Sequence, residues 1–92
     1  MMTAPARRVT GGVDTHGAVR VAAVLHSATG RCLGVESFSA DRAGHAALHG
    51  WLAGRGELDA VGIESTGSWG AGLSRHLSAA GVRVVEVDRP DR

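Results

Sequence analysis

Two acidic residues in this 92-residue chain lie in apolar, small-residue surroundings: Asp14 within "GGVDTHGAVRVAAVL" and Glu64 near the end of "LDAVGIES". A carboxylate in or beside a sheet core costs several kcal/mol unless something neutralises it. One candidate partner is a divalent cation. Mg²⁺ and Mn²⁺ are hard ions that take converging carboxylate oxygens and keep positions open for water and phosphate oxygens. Two such ions about 3.5–4 Å apart stabilise both the attacking and the leaving oxygen of an in-line phosphodiester displacement. The alternative is ordinary hydrogen bonding, with Asp14 serving the turn at Thr15 to Gly17 and Glu64 solvated beside a helix start. Residue type and spacing leave both readings open.

Other residues near these two acids have chemical uses. His16 follows Asp14 closely and could touch a metal site or a substrate phosphate, or simply help to end a strand. Thr15 belongs to the same short motif. Thr66, Gly67 and Ser68 precede a helical pattern, where their backbone N–H groups could face a phosphate or serve as a plain helix cap. His45 and His49 are spaced i, i+4, a geometry open to zinc, but the sequence offers no third ligand and they read as a solvated helix flank. Trp51 and Trp69 fall on apolar helix faces and read as core rather than as base-stacking platforms.

The bulk composition narrows the class. A chain of 92 residues is at most one small domain of marginal stability. Its 10 basic and 9 acidic residues give a net charge of +1, which neither requires nor excludes a nucleic-acid partner. Every one of those basic residues is arginine, a usage that GC-rich coding explains and that also suits bidentate phosphate contacts. The lone cysteine, Cys32, cannot form an internal disulfide and reads as a small buried hydrophobe. No signal peptide or membrane span is evident, so a cytoplasmic protein with no membrane partner is expected.

The elements that must position the acids follow from periodicity. Residues 1–8 read as a flexible amino terminus and 9–92 as one domain. Val9 to Thr15, Val19 to Ser27 and Arg31 to Ser39 read as strands joined by short turns, which requires an antiparallel meander. Asp41 then caps a helix over about Arg42 to Ala53, on which Ala47, Leu48, Trp51 and Leu52 form the apolar stripe. Leu58 to Ser65 is a fourth strand. Trp69, Leu73, Leu77 and Ala80 mark a second helix closed by Gly81, and Val82 to Val87 is a fifth strand.

Right-handed crossovers place the fourth strand beside the first and the fifth beyond it. The expected fold is therefore α/β: a ribonuclease-H-like mixed five-stranded sheet in the order 3-2-1-4-5 with two helices, an incomplete version of that domain. Asp14 and Glu64 then lie on neighbouring parallel strands, about 4.8 Å apart, within reach of one cation. Two helices cannot cover both faces of such a sheet, so one face is expected to stay apolar and exposed, and the chain to associate with itself or a partner.

The segments "GVDTHGAVRVAAVL", "ADRAGHAALHGWL", "AVGIESTGSWGAGLSRHL" and "AAGVRVVEVDRPDR" resemble the amino-terminal, RuvC-like domain of DEDD-type insertion-sequence transposases, the bridge-RNA recombinases related to Piv DNA invertases. The resemblance implies a DNA transposase or recombinase with metal-dependent phosphodiester chemistry. It implies DNA as partner and a guide RNA in the full-length protein, while a homo-oligomer is expected from the uncovered sheet face. It matches Asp14 and Glu64 to two metal-binding catalytic acids for Mg²⁺ or Mn²⁺ and His16 to the family's "DTH"; Thr15, His16, Thr66, Gly67 and Ser68 are the candidate substrate or supporting residues around them.

The family's second acidic pair, an Asp-x-x-Asp on a helix, and its serine-bearing domain have no match here. Asp88 and Asp91 share that spacing, but Pro90 lies between them and both read as post-strand loop. The expectation is a truncated segment, inactive alone. Two alternatives carry different chemistry. The first is a nucleotide-binding half-domain of the actin and sugar-kinase class, against which Thr15-His16 stands where a glycine-rich phosphate turn is needed. The second is a non-catalytic, self-associating remnant that would show no response to metal.

Overall fold

The computed structural model describes residues 7–65 and 71–88. Its elements run β1 (Arg8–His16), β2 (Val19–His26), β3 (Cys32–Ser39), α1 (Arg42–Ala53), β4 (Glu57–Ser65), α2 (Ala71–Ala79) and β5 (Val84–Asp88). The strands form one mixed sheet in the order β3-β2-β1-β4-β5. β1 pairs antiparallel with β2 and parallel with β4, β2 is antiparallel to β3, and β4 is parallel to β5. The expected α/β architecture, strand order and helix count are all present.

The hairpin between β1 and β2 turns on Gly17, whose φ of 61° suits a residue without a Cβ and matches the strand twist. After β3 the chain enters α1 through Asp41, whose carboxylate accepts from the Gly44 N–H at 2.7 Å and from the Ser39 hydroxyl at 2.9 Å. One otherwise orphaned helix donor is thereby satisfied, and these hydrogen bonds hold the Asp41 carboxyl below the usual carboxylate range, the Gly44 amide most of all. α2 ends in a Schellman motif. Gly81 adopts φ 83°, its N–H donates to the Ser78 carbonyl at 3.0 Å, and the Val82 N–H donates to the Leu77 carbonyl at 3.0 Å.

Both crossovers, through α1 and α2, carry the chain in the same direction across the sheet, so right-handedness places both helices on one face. The core lies between that face and the helices. Val9, Val13, Ala22, Val24, Val61 and Ile63 from the strands meet Leu48, Leu52, Leu73 and Leu77 from the helices. Each such large side chain contributes roughly 1.5–3 kcal/mol on burial. Gly11 on β1 is also buried, and a Cβ there would lie 2.8 Å from Leu52 Cδ1; the missing side chain is what lets α1 close on the sheet. The opposite face carries no helix among the described residues. Val19, Val21, Val35, Val85 and Val87 are exposed.

Several boundaries differ from the sequence reading, each for a local reason. Arg8 belongs to β1 rather than to a flexible terminus, tied by ion pairs to Glu57 at 3.3 Å and to Asp59. Val82 and Arg83 precede β5 because the Schellman motif holds the Val82 N–H at the helix end. Asp88 is the last residue of β5, in register with Ser65, and not part of a following loop. Cys32 is exposed, not buried, because it begins an edge strand where the β2–β3 register shifts. Ala47 is exposed on α1, and Ala80 is exposed and lies beyond the end of α2. Trp51 is half-buried against the core, 5.8 Å from the Phe38 ring, with the Arg55 guanidinium 5.2 Å above it. Trp69 lies outside the described residues. No helix among the described residues is long and apolar enough to cross a membrane.

Candidate metal centre

The sheet register brings the two acids together. Asp14 on β1 is the direct partner of Glu64 on β4. Neighbouring strands lie about 4.8 Å apart, and partners in register project to the same face. That face is the uncovered one, since the residues flanking Asp14 on its strand, Val13 and Thr15, are both buried on the helix side. The register continues outward on both sides, with Val21 of β2 beside Asp14 and Val87 of β5 beside Glu64. Together with Gly12 and Gly62, these residues line an open concavity of about 440 Å³.

Why β1 tolerates a carboxylate in an apolar run now has a structural answer. Asp14 and Glu64 are both solvent-exposed, so neither charge enters the core and the fold does not depend on a cation to neutralise them. The apolar residues around them in sequence alternate to the other face. What the sheet supplies is proximity: two carboxylates at the carboxyl ends of adjacent parallel strands, with the glycines of the next register row leaving the floor low. Hard oxygen donors in that arrangement suit part of the coordination shell of Mg²⁺ or Mn²⁺. No group of three or more histidine, cysteine or acidic side chains is arranged to hold a metal ion among the described residues.

The supporting residues separate by face. Thr15 is 5% exposed and faces the helices; its hydroxyl donates to the Glu64 carbonyl oxygen at 3.3 Å. It ties β1 to β4 at the level of the acids. The backbone of His16 closes β1 opposite Val19. Thr66, Gly67 and Ser68 lie outside the described residues, as does Asp91.

A second polar cluster occupies the helix side of the same end of the sheet. His45 is 7% exposed and His49 half-buried, so the pair is not a solvated flank. Both turn toward α2, where His76 lies 6.3 Å from the His45 ring and 6.2 Å from the His49 ring. Gly72 permits the approach, because a Cβ there would stand 3.3 Å from His45 Cε1. Burial first, then the charges of Arg20 and His76, hold His45 below the usual imidazole range against the opposing pull of Asp41. Arg20 itself is 5% exposed, its guanidinium donating to the Gly17 carbonyl at 3.0 Å, and burial lowers its pKa. The sequence signal for this cluster was the i, i+4 histidine pair; its third member comes from the packing of α1 on α2.

Neither the known protein families nor the curated proteins contain a match to this chain.

Proposed function

We propose that this chain carries the amino-terminal part of a RuvC-like catalytic domain, of the kind found in DEDD-type DNA transposases and recombinases, and that Asp14 and Glu64 hold a catalytic divalent cation. The observation that carries this reading is the register pairing of the two acids on adjacent parallel strands, at the end of a 3-2-1-4-5 sheet and facing an open groove. The motifs "VDTH" and "ESTGSWG" supply the resemblance on which the assignment to transposases rests. Asp14 and Glu64 would bind Mg²⁺ or Mn²⁺, and the ion, when bound, supplies Lewis-acid stabilisation of a phosphodiester under attack. Thr15 positions Glu64 by holding its backbone carbonyl. The open face leaves the acids accessible to a substrate as large as DNA.

Two carboxylates furnish only part of a two-ion ligand set, and Mg²⁺ sheds its waters reluctantly. Weak binding follows, and cleavage or joining of DNA by these 92 residues alone is not expected. Mn²⁺ titration followed by NMR tests the site directly. Paramagnetic broadening should begin at Asp14, Glu64 and their register neighbours Val21 and Val87, and either Asp14→Asn or Glu64→Gln should abolish it. Broadening that survives both substitutions, or that centres elsewhere, overturns the reading.

The turn after Asp14 argues against a sugar-kinase-like nucleotide site. β1 runs through Asp14 to His16 and reverses in a tight hairpin at Gly17 and Ala18, which leaves no glycine-rich loop to wrap a phosphate.

A further inference from the structure

We propose that the cleft between the amino-terminal parts of α1 and α2 is a phosphate-binding site that holds the backbone of a nucleic acid, gripped by Arg42, His45, Arg75 and His76. The inference rests on the nucleic-acid reading above and adds to it a contact surface on the opposite layer of the sheet.

The cleft encloses about 450 Å³ and is lined by those four residues and Gly72, with no carboxylate among them. Two guanidiniums and two imidazoles form a set of donors suited to phosphate oxygens, and guanidinium geometry allows bidentate contacts. The floor is prepared rather than incidental. His45 is 7% exposed, and its Nε2 is buried without a hydrogen-bond partner among the described residues. Buried polar atoms are ordinarily partnered, so an imidazole nitrogen left this way in the wall of a cationic cleft calls for a ligand. Gly72 creates the room for that imidazole.

The electrostatics choose the sign of the ligand. Arg42 and Arg75 in the lining repel a cation, and burial first, then the charges of Arg20 and His76, disfavours a positive charge at His45 against the opposing pull of Asp41. No three ligands converge there for a metal ion. An anion meets the reverse situation, and the amino-terminal ends of both helices, which open toward this end of the sheet, add to the attraction.

Position favours a polymer over a free ion. α1 begins just beyond Ser39, the residue of β3 that pairs with Val19, and Val19 in turn pairs with His16 at the carboxyl end of β1. α2 follows the carboxyl end of β4. The cleft therefore opens at the same end of the sheet as Asp14 and Glu64, on the other face. A sugar–phosphate backbone bent over that end would meet the acids with one phosphate and the arginines with another.

The test is histidine-detected NMR on the full 92-residue chain in EDTA, which keeps the acids metal-free and makes the result independent of the proposed metal centre. Inorganic phosphate at matched ionic strength should shift the ring resonances of His45 and His76 and leave His26 in place. A short DNA duplex should produce the same shifts at far lower concentration. Arg42→Ala and Arg75→Ala alter exposed residues and should each weaken duplex binding several-fold, reducing the slope of log affinity against log salt by about 1. Circular dichroism confirms that each variant is folded. Unmoved histidine resonances, or an unchanged salt slope in both variants, would overturn the proposal. Shifts with inorganic phosphate but none with DNA would overturn its nucleic-acid part and mark a site for a free phosphate compound. In a separate titration without EDTA, histidine shifts with Zn²⁺ but none with phosphate or DNA would overturn the proposal and show a metal site instead.

Discussion

Gly44, in the first turn of α1, lies so close to Ser39 at the end of β3 that a Cβ built on it would overlap the Ser39 carbonyl oxygen and crowd its hydroxyl. The contact is with backbone at a capped helix start, where Asp41 already ties Ser39 and Gly44 together, so the chain has little freedom to yield. Gly44→Ala should therefore destabilise the fold by about 3 kcal/mol or more, at the upper end of overpacking substitutions. Gly50→Ala, where nothing lies within 4 Å of the new methyl group, should be neutral or mildly stabilising through helix propensity. Urea denaturation of the two variants checks the contrast, and equal midpoints would refute it.

The cap itself sets a pH dependence. Asp41 has a depressed folded-state pKa, caused first by the Gly44 amide and then by the Ser39 hydroxyl. A depressed carboxyl contributes stability that is present above its unfolded value and is lost as the pH falls through its folded value. Asp41→Ala should therefore melt below the parent protein at neutral pH, with the gap closing as the solution becomes strongly acidic. A gap that stayed constant with pH would mean that the charge on the cap is irrelevant.

The two faces of the sheet should respond unequally to one chemical change. Val61 is fully buried under the helices, whereas Val85 is 44% exposed on the open face. Val61→Thr buries a hydroxyl and should cost roughly 1–3 kcal/mol. Val85→Thr should stay within about 0.5 kcal/mol of the parent. Thermal unfolding of the pair measures this, and comparable losses would place a covering layer over the face that carries Asp14 and Glu64.

Cys32 should be fully reactive in the native state. Its exposure at the start of an edge strand leaves the thiol open to reagent. Maleimide labelling of the folded protein should run to completion at the rate found in denaturant, to within a few-fold, and Cys32→Ser should cost less than about 0.5 kcal/mol. Labelling that waits on unfolding would contradict the placement of β3.

What the sequence by itself determined is the run of elements and their order. α1 from Arg42 to Ala53 was legible to the residue, because Asp41 starts it with a cap and Leu48, Trp51 and Leu52 supply the helical period. Short turns at Gly17 and Gly30 forced the meander, and right-handed crossovers did the rest, so strand order and the pairing of Asp14 with Glu64 follow from local signals and chirality.

Only the tertiary structure decided which side of each element meets what. The apolar run around Asp14 suggests a charge near a core, yet Asp14 stands on the open face, since a strand alternates its side chains and periodicity alone does not say which face the helices will cover. Cys32 lies in a strand-like stretch that suggests a small buried hydrophobe, but an edge position and a register shift expose it. The i, i+4 spacing of His45 and His49 suggests only a solvated flank. The meeting of both with His76, and of His45 with Arg75, depends on α1 packing against α2, a contact between segments far apart in the chain that no local pattern encodes.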